Sequence, residues 1–180
     1  NSDKIGHYDL MFITNPTNLH LETIRQLGEK ADTLFIEKPI FDDGMHSLEE
    51  AGLVGRRAQV AAPMRYCGAF LALQKELWGK RVYSARLICS SYLPDWRPGV
   101  DYRTVYSARR EMGGGVTIDL IHEWDYLVDL FGFPLESCNF KGTYSDLEIT
   151  SDDLSVYIAR YPTMLAEIHL DYFGRSYRRT

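Results

Sequence analysis

The stretch Gly113-Gly114-Gly115-Val116-Thr117-Ile118-Asp119-Leu120-Ile121-His122-Glu123-Trp124-Asp125-Tyr126 joins a run of glycine to a helical pattern. At about 100° per residue, Val116, Leu120, Ile121, Trp124, Leu127, Val128 and Phe131 share one apolar arc. Asp119, His122, Asp125, Tyr126 and Asp129 fall on the opposite arc, so one helix is expected over 115–131. Glycine costs about 1 kcal/mol relative to alanine inside a helix. A triple glycine at a helix start therefore suggests close approach of the backbone to a ligand. A histidine three residues after a carboxylate is a workable proton-transfer pair, the Asp orienting or charging the imidazole. The same arc also fits a solvated acidic face. As a dinucleotide-binding G-x-G-x-x-G the run fails, because Ile118 occupies the third glycine position and no strand precedes it.

Working toward the N-terminus, Tyr8 to Ile13 is a short apolar run of the kind that forms a buried parallel strand. It ends in Thr14-Asn15-Pro16-Thr17-Asn18, a turn, after which Leu19, Ile24, Leu27 and Ala31 recur at helical spacing. Thr33 to Ile36 is a second strand, stopped by Glu37-Lys38-Pro39. A helix is expected over His46 to Val54 and a third strand over Gln59 to Ala62. Strand, helix, strand, helix, strand describes a parallel, doubly wound sheet. Ligands bind such sheets at the carboxyl ends of their strands. Thr14-Asn15-Pro16 and Lys38 lie at two such ends, although a lysine can also merely terminate a strand. His20 follows in the next helix, where a structural histidine is the common alternative.

Beyond residue 63 the pattern changes. A helix over Phe70 to Trp78 and a strand over Arg81 to Ser91 lead to an aromatic, arginine-containing loop from Tyr92 to Arg110. After the glycine-opened helix come strands at Cys138–Tyr144, Leu154–Tyr161 and Met164–Tyr172, the last two joined by Pro162-Thr163 as a hairpin. The expected architecture is α/β: the second half of a parallel Rossmann sheet in residues 1–63. An α+β domain with a predominantly antiparallel open sheet follows in residues 64–180.

The 180 residues carry a net charge of −5, which offers no electrostatic footprint for nucleic acid. Arg109-Arg110 and Arg175, Arg178 and Arg179 gather locally and leave a phosphate-bearing small molecule open, with surface arginines as the plainer reading. Cys67, Cys89 and Cys138 are odd in number and widely spaced, as in a reduced, cytoplasmic protein. No apolar run spans a bilayer. The histidines show no metal-ligand spacing, so no metal is expected.

Taken in order, Asp9 to Pro16 with His20, Glu37-Lys38-Pro39, Gly113-Gly114-Gly115 through Asp119, His122 and Asp125, and Leu130-Phe131-Gly132 resemble the Gfo/Idh/MocA family of NAD(P)-dependent oxidoreductases. The segment Tyr92-Leu93-Pro94-Asp95-Trp96-Arg97-Pro98-Gly99 is similar to a branch acting on nucleotide-linked or acidic sugars. The resemblance implies hydride transfer between a sugar carbinol carbon and NAD or NADP. It implies Lys38, His122 and Asp119 as the catalytic set. Thr14, Asn15, Pro16, His20, Glu37 and Lys38 would lie on the cofactor side, and Trp96, Arg97, Tyr102, Arg103 and Asp125 on the substrate side.

The glycine fingerprint and the acidic ribose ligand about 20 residues after it do not occur here. The chain is accordingly expected to be a piece truncated at both ends that binds little or no nicotinamide by itself. The alternative is a non-catalytic sugar-binding or assembly module. A homodimer or tetramer through the last strands is expected, with Val156, Ile158, Met164, Ala166 and Ile168 supplying apolar surface.

Overall fold

The computed structural model describes residues 5–180. The first four residues of the first expected domain therefore lie outside the described residues. The chain divides into two compact units, one ending at Ala61 and the other running from Ala62 to Thr180.

In the first unit, β1 (Tyr8–Ile13), β2 (Ala31–Ile36) and β3 (Arg57–Val60) form a parallel sheet in that order. The helix α1 (His20–Leu27) crosses from β1 to β2 and buries Ile24 against Ile13, Leu34 and Ile36. The helical run ends close to residue 30, as expected. Gly28–Lys30 tightens into a 3-10 turn, and Ala31 opens β2. No helix forms over 46–54. The chain runs there through consecutive turns that close with Ala51 N–H on Ser47 C=O and Leu53 N–H on Leu48 C=O. Gly52 and Gly55 both take positive φ, at 68° and 78°, which ends any helical run. Ala51 and Leu53 still reach the core, from turns rather than from a helix.

The second unit holds a five-stranded sheet in the order β5-β6-β7-β4-β8. Its strands are β4 (Ser84–Tyr92), β5 (Glu136–Gly142), β6 (Leu154–Arg160), β7 (Leu165–Asp171) and β8 (Phe173–Arg179). Only β4 and β7 pair in parallel; the other pairs are antiparallel. One face carries Leu87, Cys89, Ala159, Ala166, Ile168 and Leu170, and packs against Val116, Leu120 and Leu127. The helix α2 (Gly68–Leu77) joins this layer through Phe70, whose ring meets Tyr126 at 5.9 Å.

Register corrects the expected apolar surface. Ile158 stands opposite Glu167 and Val156 opposite His169, whereas Ala166 and Ile168 point to the buried side. Met164 is buried as well. The open face therefore mixes Val156 and Ile158 with the Arg86–Glu167 ion pair and His169.

The 115–131 segment is two helices, not one. α3 (Val116–Asp119) and α4 (His122–Phe131) are separated at Leu120, whose φ of −100° and ψ of 28° break the spiral. The glycines serve the protein's own backbone rather than a ligand. A Cβ on Gly114 would lie 1.9 Å from the Tyr106 carbonyl oxygen, and one on Gly115 would lie 2.7 Å from Asp152 Oδ1. Gly115 also sits at φ 135°, which disfavours any side chain. Asp152 then caps α3, accepting from Thr117 N–H at 3.0 Å and from Thr117 Oγ1 at 2.7 Å.

Gly114→Ala is accordingly expected to lower the unfolding free energy by about 3 kcal/mol, since backbone on both sides must shift. Gly52→Ala meets no atom within 4 Å and bears only the cost of positive φ, about 1 kcal/mol. Denaturant melts of the two variants check the contrast.

Candidate active site

The glycine turn delivers Asp119 to the sheet. At the end of α3 it is 6% exposed. Tyr172 Oη donates to Asp119 Oδ2 at 2.5 Å and Tyr106 Oη donates to Oδ1 at 2.9 Å. Tyr172 lies between β7 and β8 and is fully buried, and Tyr106 begins a 3-10 turn at Tyr106–Ala108. Burial pushes both phenols above their ordinary pKa, and the neighbouring Asp119 charge pushes the same way. Both hydroxyls are therefore proton-bearing donors at neutral pH. His122, half-buried, opens α4 immediately afterwards.

The neighbouring loop closes around the tyrosines. Trp96 donates from Nε1 to Ser91 Oγ at 3.1 Å and sets its ring edge-on to Tyr172 at 5.2 Å. The Arg97 guanidinium lies 5.5 Å from the centre of the Tyr106 ring. Tyr102 and Arg103 engage other groups. The Tyr102 hydroxyl accepts from Glu148 N–H, and Arg103 pairs with Asp101 and Glu148. Those exposed ion pairs add little stability. Asp125 is taken up by Arg65, whose Nε reaches both carboxylate oxygens at 3.0 and 3.1 Å. The same guanidinium reaches Asp129 at 2.8 Å, and Asp125 holds the Arg65 pKa above its ordinary value. This clamp ties the Pro63–Tyr66 turn to α4.

Sequence reasoning did not single out Glu123. It is fully buried on the apolar side of α4, with Oε1 2.8 Å from Arg179 Nε. The Nε–H is not aimed along that contact, and Glu123 Oε2 has no hydrogen-bond partner. The pair is therefore held by charge rather than by directed hydrogen bonds. Burial raises the Glu123 carboxyl pKa, and Arg179 pulls it back only in part. Burial also lifts the adjacent Cys89 thiol to about 11, which makes it inert.

In the first unit, the ends of β1 and β2 are stapled together. His20 is fully buried, with Nε2 2.9 Å from the Asn15 carbonyl and Nδ1 3.0 Å from that of Pro39. His20 thus fixes both loops and presents nothing to solvent. Asn15 donates to Thr23 Oγ1 at 2.8 Å, leaving its buried Oδ1 without a partner. Thr14 and Pro16 are exposed, and Glu37 and Lys38 are half-buried. The Lys38–Pro39 peptide is cis.

No family model matches this sequence, and no curated protein matches it. Solved structures do. The myo-inositol 2-dehydrogenase of Lactobacillus plantarum superposes with a TM-score of 0.77 at 17% identity, covering 95% of this chain and 53% of that one. An oxidoreductase from Agrobacterium radiobacter, solved with NAD+, L-tartaric acid and magnesium, gives 0.73 at 14% identity over 93% of this chain and 49% of its own. The fold is shared. The shared part is the parallel sheet followed by the mixed five-stranded sheet. The chain spans about half the length of the structures it matches.

Removing Arg179 would strand Glu123 as an unpaired buried carboxylate. Its folded-state pKa, already raised, rises further. The penalty is then full above that value and vanishes below the unfolded one. Arg179→Met is expected to destabilise the protein by roughly 3 kcal/mol near neutral pH, and by much less at low pH. Denaturant melts at the two pH values measure the difference.

Proposed function

We propose that this chain carries the catalytic and substrate-binding part of an oxidoreductase that moves a hydride between a nicotinamide cofactor and a sugar or sugar-derivative hydroxyl. The observation that carries the reading is Asp119, a buried carboxylate clamped by two tyrosines one short turn before His122. A purely solvated acidic face would have left it in water. The fold shared with dehydrogenases and the order of the motifs point the same way.

Nicotinamide supplies the hydride acceptor or donor when bound. The carboxyl ends of β1 and β2 fit its uncharged portion, because the buried Asn15 Oδ1 still needs a donor and such strand ends are the binding edge of α/β sheets. Thr14, Asn15, Pro16, Glu37 and Lys38 would hold it there, with His20 fixing the loops. The pyrophosphate has no glycine-rich turn at the start of α1, which is preceded by Thr17–Leu19.

In this reading His122 takes the hydroxyl proton as the carbon–hydrogen bond breaks, and Asp119 orients or charges it. Lys38 favours the developing alkoxide electrostatically. Trp96 and Arg97 would form the substrate wall. A homodimer or tetramer would use the open sheet face around Val156 and Ile158, and light scattering that gives a clean monomer at high concentration would contradict it.

In the full-length protein, His122→Asn should lower turnover by about 10²–10⁴ while leaving nicotinamide binding intact. Lys38→Met should damage both turnover and substrate affinity. Steady-state kinetics with a sugar panel test both, and near-normal turnover in His122→Asn would refute the assignment. The chain alone should bind NADH weakly, which calorimetry measures.

A further inference from the structure

We propose that Tyr106 and Tyr172 are positioning residues that hold the Asp119 carboxylate in one orientation; this rests on the reading of Asp119 as a partner of His122. Each hydroxyl donates to a different carboxylate oxygen, so the carboxylate plane is pinned at two points. A charge-assisted hydrogen bond is about twice as strong as a neutral one, and two such bonds offset the desolvation of a side chain that is 6% exposed. The remaining acceptor directions of Asp119 are thereby set by the protein.

The donors are themselves immobile. The Tyr172 N–H donates to the Asp153 carbonyl, its own carbonyl accepts from Leu93 N–H, and its ring is held by Trp96. The Tyr106 backbone is packed against Gly114, whose missing side chain leaves room for the Tyr106 carbonyl. Neither tyrosine is suited to proton acceptance, because each already gives its hydrogen to Asp119 and burial raises its pKa. Their effect reaches the reaction only through Asp119.

Charged and titratable groups border this cluster. Asp152, capping α3, acts on Tyr172 and is 4.0 Å from Lys141; Arg97 lies over Tyr106; and His122 follows on α4. With these left in place, deleting one hydroxyl removes one of the two phenol donors that the carboxylate holds.

The test is a titration of Asp119 by carbon NMR with labelled aspartate, the Asp119 signal being assigned from Asp119→Asn. Wild type, Tyr106→Phe, Tyr172→Phe and Tyr161→Phe would be compared. Tyr161 serves as control, because its hydroxyl donates to the Gly132 carbonyl and does not touch Asp119. The expected result is an upward shift of the Asp119 midpoint by about one unit in Tyr106→Phe and Tyr172→Phe, the worth of one hydrogen bond to a charged group, with no shift in Tyr161→Phe. An unmoved midpoint in the first two variants, or an equal shift in all three, overturns the proposal. The acidic limb of kcat in the full-length protein should move upward with the same two variants, with KM little changed. A shifted titration without any hydride transfer in wild type would count against the oxidoreductase reading and leave the clamp standing.

Discussion

The second unit depends on a carboxylate meeting a helix start where no side chain stands between them. Asp152 accepts from the backbone N–H and hydroxyl of Thr117, and its backbone carbonyl accepts from Val116 N–H at 2.9 Å. This satisfies two donors that the first turn of α3 would otherwise leave unpaired. It works only because Gly115 lacks a Cβ. Gly114, beside it, lets the chain pass against the carbonyls of Tyr106, Ser107 and Arg109. Ser151 seals the same junction by donating to the Ser107 carbonyl at 2.7 Å. The position of Asp119 follows from these contacts.

From there the chemistry is arranged by burial. A carboxylate in a dry environment must be neutralised or hydrogen-bonded, and α3 places Asp119 where two phenols meet that demand. The break at Leu120 then restarts the chain as α4, with His122 at its first turn and Glu123 turned inward to Arg179. An unbroken helix would have sent Asp119 to the same side as Asp125 and Asp129. Those two residues instead pair with Arg65 and hold α4 to the turn before α2. Three neighbouring acidic side chains thus meet different partners: tyrosine hydroxyls for Asp119, the guanidinium of Arg179 for Glu123, and that of Arg65 for Asp125.

Much of the fold was legible in the sequence, because apolar runs and their punctuation declare strands directly. β1, β2, β6 and β7 lie within a residue or two of where the pattern put them. The failures have identifiable causes. The 46–54 segment has helical spacing, but Gly52 and Gly55 hold it in turns. The wheel over 115–131 assumed a continuous spiral, and the break at Leu120 moved Asp119 to the inside. Glu123 was invisible because a buried carboxylate is readable only with its cation, and Arg179 is 56 positions away. Tyr106 and Tyr172 were hidden likewise, since neither lies near Asp119 in sequence. The Ser151-Asp152-Asp153 run just before β6 was the available clue, as short polar side chains hydrogen-bond backbone N–H groups at caps.

The central claim is hydride transfer, and isotope tracing tests it most directly. The longer protein proposed to contain this chain would be incubated with oxidised nicotinamide and sugars deuterated at the carbinol carbons, and the reduced cofactor analysed by mass spectrometry. The account predicts one deuterium in the reduced nicotinamide from at least one sugar, lost when His122 is replaced by Asn. Unlabelled cofactor with every sugar, despite saturating nicotinamide binding, would contradict it.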